Sequence, residues 1–141
     1  MHKTPHLAAV MTPFPYSIER DAPLTEALAL MEEHKVRHLP VTVGHEVVGV
    51  LAERDIHAAL HRESSDSDLR VRDMYVDHPY IVSLDEPLDA VLLTMAERHI
   101  GSAIVTRGGK LSGMFTSVDA CRSFGEYLRE HFPTPTGDEV A

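Results

Sequence analysis

The chain has 141 residues, 13 of them basic and 22 acidic, for a formal charge of −9. That length suits one ordinary domain or two very small ones sharing a core, and 43% apolar with 25% charged residues is a globular composition rather than a disordered one. The acidic balance argues against nucleic-acid binding, which needs clustered Lys and Arg, and no apolar run nears the roughly 18–20 residues of a membrane span.

Residues 1–9 read as an N-terminal tail with neither a long apolar stretch nor a small-residue cleavage pattern, which argues against secretion and for a cytoplasmic location. A first repeat over 10–61 opens with a short strand at 16–18. Asp21 is the expected cap of the next helix and Pro23 sits where a first-turn proline is tolerated. Leu24, Ala27, Leu28 and Met31 follow at helical spacing. The β-branched run 39–43 then turns at Gly44-His45-Glu46 into a second strand over 47–52, and a second helix covers 53–61. Residues 62–70, rich in Ser and Asp, read as a solvated linker.

The second repeat, 71–131, has the same order. A strand at 80–82 leads to a cap at Asp85, then Leu88, Val91, Leu92 and Met95 at helical spacing, then strands 103–106 and 111–116 about Gly108-Gly109-Lys110. A long helix over 117–131 is stopped by Pro133, and 132–141 reads as a flexible tail. The single cysteine, Cys121, rules out an intrachain disulfide and fits a reducing compartment.

Sliding the chain by 64 residues superposes the two copies without a gap, with 13 identities in the 43 positions from 15 to 57, where composition alone supplies roughly three. The chain is a duplication of one βαββα unit. A unit this small has one apolar sheet face with little to cover it, and two copies packing sheet on sheet resolve that. The expected fold class is α/β (α+β), with two repeats about a pseudo-twofold axis, their small sheets packed together and flanked by helices.

These residues resemble the CBS (cystathionine-β-synthase) domain, and the whole chain resembles a stand-alone tandem pair, a Bateman module. The resemblance rests on Met11-Thr12-Pro13, Asp21-x-Pro-Leu-x-x-Ala-Leu-x-x-Met, Arg37-His38-Leu39-Pro40-Val41 and Gly49-Val50-Leu51-Ala52-Glu53-Arg54-Asp55 in copy one. Copy two adds Asp73-Met74, Gly101-Ser102-Ala103-Ile104-Val105 and Gly113-Met114-Phe115-Thr116-Ser117-Val118-Asp119. It implies clefts between paired repeats that bind adenosine-containing molecules: AMP, ADP, ATP or S-adenosylmethionine. Thr116 is then a phosphate contact and Asp119 the acceptor of the ribose hydroxyls, with Ile81, Ser102, Ala103 and Ile104 forming the slot for the adenine. The junction is physically apt, because a helix N-terminus at the end of a strand favours a phosphate.

A second reading of Thr116-Ser117-Val118-Asp119 is a capping box. The recurrence of the acid as Asp55, where Ala52 lacks the hydroxyl, favours the ligand role. In copy one that leaves Asp55 for ribose and Arg54 as a phosphate partner, beside His38 and Leu39, in a more cationic cleft than copy two. Copy two is expected to bind a nucleoside phosphate, and copy one a more highly charged one or none.

His57 and His61 stand at i, i+4 without a further ligand, so a solvated helix face and no metal site is expected. No nucleophile or acid–base pair marks a catalytic site. The apolar stripes Ile56, Ala59, Leu60 and Ala120, Phe124, Tyr127, Leu128 suggest a homodimer. The expected function is a non-enzymatic cytoplasmic module that signals adenine-nucleotide level to a regulated partner protein. The alternative is a ligand-independent dimerisation scaffold.

Overall fold

A computed structural model describes residues 5–13, 16–62 and 69–133; the ends of the chain and most of the expected linker and C-terminal tail lie outside them. The elements run α1 (Leu7–Val10), β1 (Thr12–Pro13), β2 (Ile18–Glu19), α2 (Leu24–His34), β3 (His38–Val43), β4 (Glu46–Ala52) and α3 (Glu53–Arg62). After a single 3-10 turn at Val71–Asp73 come β5 (Val76–Asp77), β6 (Ile81–Ser83), α4 (Leu88–Arg98), β7 (Ser102–Arg107), β8 (Lys110–Thr116) and α5 (Ser117–His131). The fold is α+β, two repeats of small sheets and helices.

The helices form where apolar spacing demands them, but their starts differ from expectation. Asp21 and Asp85 cap nothing: the N-cap positions are Pro23 and Pro87, both extended and without a side-chain bond. Asp21 is instead held from the 3-10 turn, its carbonyl accepting from Arg70 at 2.7 Å and its carboxylate from Arg72 at 3.1 Å. Asp85 donates its backbone N–H to the Ser83 hydroxyl. Both helices end alike, with Lys35 and His99 left-handed at φ 55°, so that the N–H of Val36 or Ile100 reaches back to the carbonyl of Met31 or Met95 at 3.0 Å.

Two compact units result, residues 16–81 and residues 5–13 with 82–133. Each unit has its own four-stranded sheet, in the orders β2-β3-β4-β5 and β1-β8-β7-β6. The hairpins β3–β4 and β7–β8 are antiparallel, with a bulge at Val41/Thr42 in one and Val105/Thr106 in the other, 64 residues apart. The short outer strands are the unexpected part. β5 pairs Val76 with Val50 and Asp77 with Gly49; β1 pairs Thr12 with Met114 and Pro13 with Gly113. The arm ahead of copy one therefore completes the sheet of copy two, and the arm ahead of copy two completes that of copy one. Leu7 on the first arm and Val71 on the second are both fully buried. Gly49 has to be glycine because a Cβ there would meet the Val76 carbonyl oxygen at 2.5 Å and the Tyr75 ring.

The cores repeat in position, with several exchanges of residue. Ile18, Leu24, Ala27, Met31 and Val41 are buried in one unit, as are Val82, Leu88, Val91, Met95 and Val105 in the other. Across the hairpin, Leu39 faces Leu51 in copy one while Ala103 faces Phe115 in copy two. All four are fully buried, and the two pairs hold the same number of side-chain carbon atoms. The large-and-small pair fills the space of two medium residues.

This pairing makes the core substitutions non-additive. Phe115→Leu should cost about 1–2 kcal/mol through the cavity left beside Ala103, and Ala103→Leu about 1–3 kcal/mol by overpacking against Phe115. Together they restore the copy-one pair, and urea denaturation should show the double variant losing at least about 1 kcal/mol less than the sum.

Candidate functional site

In both units the second hairpin strand runs straight into a helix, and the first helical N–H is already taken: Glu53 donates to the carbonyl of Arg37 and Ser117 to that of Gly101, each at 2.9 Å. This ties the start of the helix to the start of the neighbouring strand, where His38 lies opposite Ala52 and Ser102 opposite Thr116. Each junction thus brings together the strand residue 38 or 102, the last strand residue 52 or 116, and the acid at the third helical position.

The copy-two acid is buried, with 2% of Asp119 exposed, and its carboxylate is fully engaged. Oδ2 accepts from the Thr116 backbone N–H at 2.9 Å and from its hydroxyl at 3.2 Å, and Thr116 Oγ1 accepts in return from the Asp119 N–H at 3.4 Å. This is a complete capping box. Oδ1 accepts from Thr12 Oγ1 at 3.0 Å and from Arg122 Nη1 at 3.2 Å. A carboxylate has about four acceptor positions, and the chain itself fills them. Thr12 and Arg122 are the participants that sequence reasoning missed. Arg122, one turn beyond the acid on the same helix, had a readable signal in its i+3 spacing; Thr12 had none.

The copy-one acid is different. Asp55 is half-buried, and its carboxylate accepts no hydrogen bond from any described residue. It lies close enough to His38 for their charges to interact, within a group that includes Arg54, Arg37 and Glu53. Burial lowers the pKa of His38 below its ordinary value; the Asp55 charge opposes that shift, and the two arginines reinforce it.

The remaining expected slot residues separate by depth. Ile81 is the first residue of β6, 42% exposed, and Ser102 is half-buried at the start of β7. Ile104 is buried, paired across the hairpin with Met114, itself the partner of Thr12. Leu39 and Ala103 are packed into the cores of their units. A groove of about 450 Å³ in the copy-one unit, floored by Leu28 and Met31 and rimmed by Glu32, Lys35, Arg37 and His57, lies between α2 and α3. Neither His38 nor Asp55 lines it.

The helices differ too. Ile56 and Ala59 of α3 are buried, whereas Phe124, Tyr127 and Leu128 of α5 are exposed. The Phe124, Tyr127 and His131 rings stack along α5, with centroids 6.4 and 4.1 Å apart. Cys121 is exposed on the same helix. Among the described residues no three His, Cys, Asp or Glu side chains cluster as a metal site, and no helix is long and apolar enough to cross a membrane.

Comparison with known proteins agrees with this layout. The family model for the CBS domain matches twice, over residues 7–62 and 71–126. An inosine-5'-monophosphate dehydrogenase of Korarchaeum cryptofilum is 31% identical over 115 residues, 81% of this chain but 22% of that enzyme. The chain thus spans under a quarter of that relative. Hypoxic response protein 1 of Mycobacterium tuberculosis is 44% identical over 41 residues, 29% of each chain. Among solved structures, the CBS domain pair of protein MJ0100, in complex with 5'-methylthioadenosine and S-adenosyl-L-methionine, superposes with TM-score 0.77 at 22% identity, covering 89% of this chain and 99% of that one. The CBS domain of a bacterial CNNM/CorC family Mg2+ transporter, in complex with ATP, gives 0.71 at 26% identity over 85% and 87%.

The shift at His38 has a sign that can be tested. A histidine whose folded pKa lies below its unfolded value binds fewer protons folded than unfolded. Its full contribution to stability is present above the unfolded range near pH ~6.5 and is lost as pH falls from there through the folded value. His38→Gln should therefore flatten the fall of melting temperature between pH ~7 and ~5, measured by calorimetry.

Proposed function

The chain belongs to the CBS domain family, and from that premise we propose that it is a non-enzymatic regulatory module that binds an adenosine-containing ligand. The ligand classes are AMP, ADP and ATP, with S-adenosylmethionine a further candidate. One observation carries the reading: Asp55 is a half-buried carboxylate whose oxygens accept no hydrogen bond from any described residue, and its charge acts on His38 together with those of Arg54, Arg37 and Glu53. A vicinal diol supplies two donors to such a carboxylate, and an attached phosphate answers the cations. The ligands held by the MJ0100 pair and the CNNM/CorC domain are of this class.

In this reading Asp55 and Asp119 take ribose hydroxyls and Arg54 and Thr116 the phosphate. His38 and Leu39 lie beside the copy-one junction. Ile81, Ser102 and Ile104 border the base in copy two, with Ala103 supporting them from the core. The module acts in the cytoplasm by population shift, the ligand favouring one conformation that a regulated partner protein reads. The exposed apolar face of α5 (Phe124, Tyr127 and Leu128), continued by Phe132 just beyond the helix, is the surface through which two copies would join. A ligand-independent scaffold is the second reading, favoured by the complete capping box at Asp119, which gives that acid a structural role without any ligand.

Thermal-shift titration with AMP, ADP, ATP and S-adenosylmethionine separates them. A ligand at 100 times its Kd should stabilise the chain by about 2.7 kcal/mol, and Asp55→Asn should lower affinity at least about tenfold through lost charge-assisted bonds. If no such ligand moves the melting curve, the scaffold reading stands. Light scattering should show a dimer that Phe124→Glu with Leu128→Glu converts to a monomer; an unchanged mass would place the interface elsewhere.

A further inference from the structure

The two junction acids occupy equivalent positions but differ in every side-chain donor around them. Asp119 is held by the hydroxyls of Thr12 and Thr116 and the guanidinium of Arg122. The residues at the equivalent places in copy one, 64 positions away, are Val76, Ala52 and Ala58. We propose that Thr12 is a latch: it occupies the Asp119 oxygen that a ligand's vicinal diol needs, so that a ligand at this junction releases the arm of residues 5–13. This role rests on the reading of the junctions as ribose sites.

The two carboxylate oxygens are not equally available. Oδ2 is bound within the helix start, to the Thr116 N–H and hydroxyl, and losing it would uncap α5. Oδ1 is bound only by side chains from elsewhere, Thr12 from β1 and Arg122 from the next turn. Arg122 is 58% exposed, so its guanidinium can turn to solvent or to a ligand phosphate. Thr12 stays beside Oδ1 for as long as its backbone is paired with Met114. Displaced from Oδ1, its part-buried hydroxyl is left without a partner, which disfavours the arm as placed. The arm has few other attachments: two residues of β1 and a four-residue α1 anchored by Leu7. The Thr12 bond to Asp119 is one of these few attachments, comparable in size to the burial of Leu7. Thr12 is thus a positioning residue that acts on the ligand through Asp119.

The test uses Thr12→Val, which installs the kind of residue that copy one carries, and Thr12→Ser, which keeps the hydroxyl. Both are made in the full chain with Asp55→Asn, so that the other junction does not contribute. AMP affinity is read by calorimetry and arm release by hydrogen exchange over residues 7–13. AMP should raise exchange in the arm. Thr12→Val should bind AMP about tenfold tighter, the equivalent of one charge-assisted hydrogen bond. Its arm should already exchange fast without AMP, and Thr12→Ser should restore both properties. Affinity unchanged or weakened by Thr12→Val overturns the latch, as does arm exchange that AMP leaves unchanged or slows. An Asp55→Asn chain that no longer binds AMP while the parent does also overturns it. Failure of the parent chain to bind any adenosine ligand is a different result, since it removes the ribose reading and the latch together.

Discussion

A strand edge with unpaired N–H and C=O groups has to be covered or blunted, and in this chain the edge of each long hairpin is covered by two residues borrowed from the arm ahead of the other copy. Thr12 and Pro13 lie along β8 and Val76 and Asp77 along β4, at equivalent registers. Pro13 suits such an outer position because it has no N–H to leave unpaired. With the edge closed, the hairpin holds its inner face against the helix of its unit, and each arm adds one fully buried residue, Leu7 or Val71. The strand-to-helix junctions stand at the far end of that hairpin, where β4 runs into α3 and β8 into α5.

The part of this arrangement that is local was legible in the sequence. Of the helical stripes Leu24, Ala27, Leu28, Met31 and Leu88, Val91, Leu92, Met95, six positions are buried, while Leu28 is half-buried and Leu92 exposed; α5 spans the residues its pattern implies, Ser117–His131. The duplication shows which segments correspond. The arms were not legible: between 7–13 and 71–77 no position is identical, although the two segments occupy matching places. Their correspondence lies in burial and backbone pairing, which many side chains satisfy. The helix caps misled for a related reason. Asp-x-Pro implies a capping acid, yet the N-caps are the prolines themselves, two residues beyond each acid, and Asp21 is held instead by Arg70 and Arg72, 49 and 51 residues away, partners that local spacing does not encode.

Of the candidate site, sequence reasoning found both acids and the capping box, and put the copy-two acid first on the family pattern, without sight of the donors around either. What distinguishes them is the supply of donors, and one donor to Asp119 comes from 107 residues away. The duplication has kept the core nearly position for position, exchanging Leu–Leu for Ala–Phe across one hairpin. It has let the surroundings of the acid diverge completely. Packing constrains each residue through many neighbours at once, whereas a polar junction tolerates loss of a donor if another group, or a bound molecule, replaces it.

The crossed arms also make the two copies inseparable by cutting. Cleavage after Arg62 would leave a first fragment carrying α1 and β1 but lacking the strand that closes β4, and a second fragment carrying β5 but lacking the one that closes β8. Neither piece would be a whole domain, while a mixture of the two would contain every strand needed for both. Sequence repeats here are units of inheritance, and the units that fold are assembled from both.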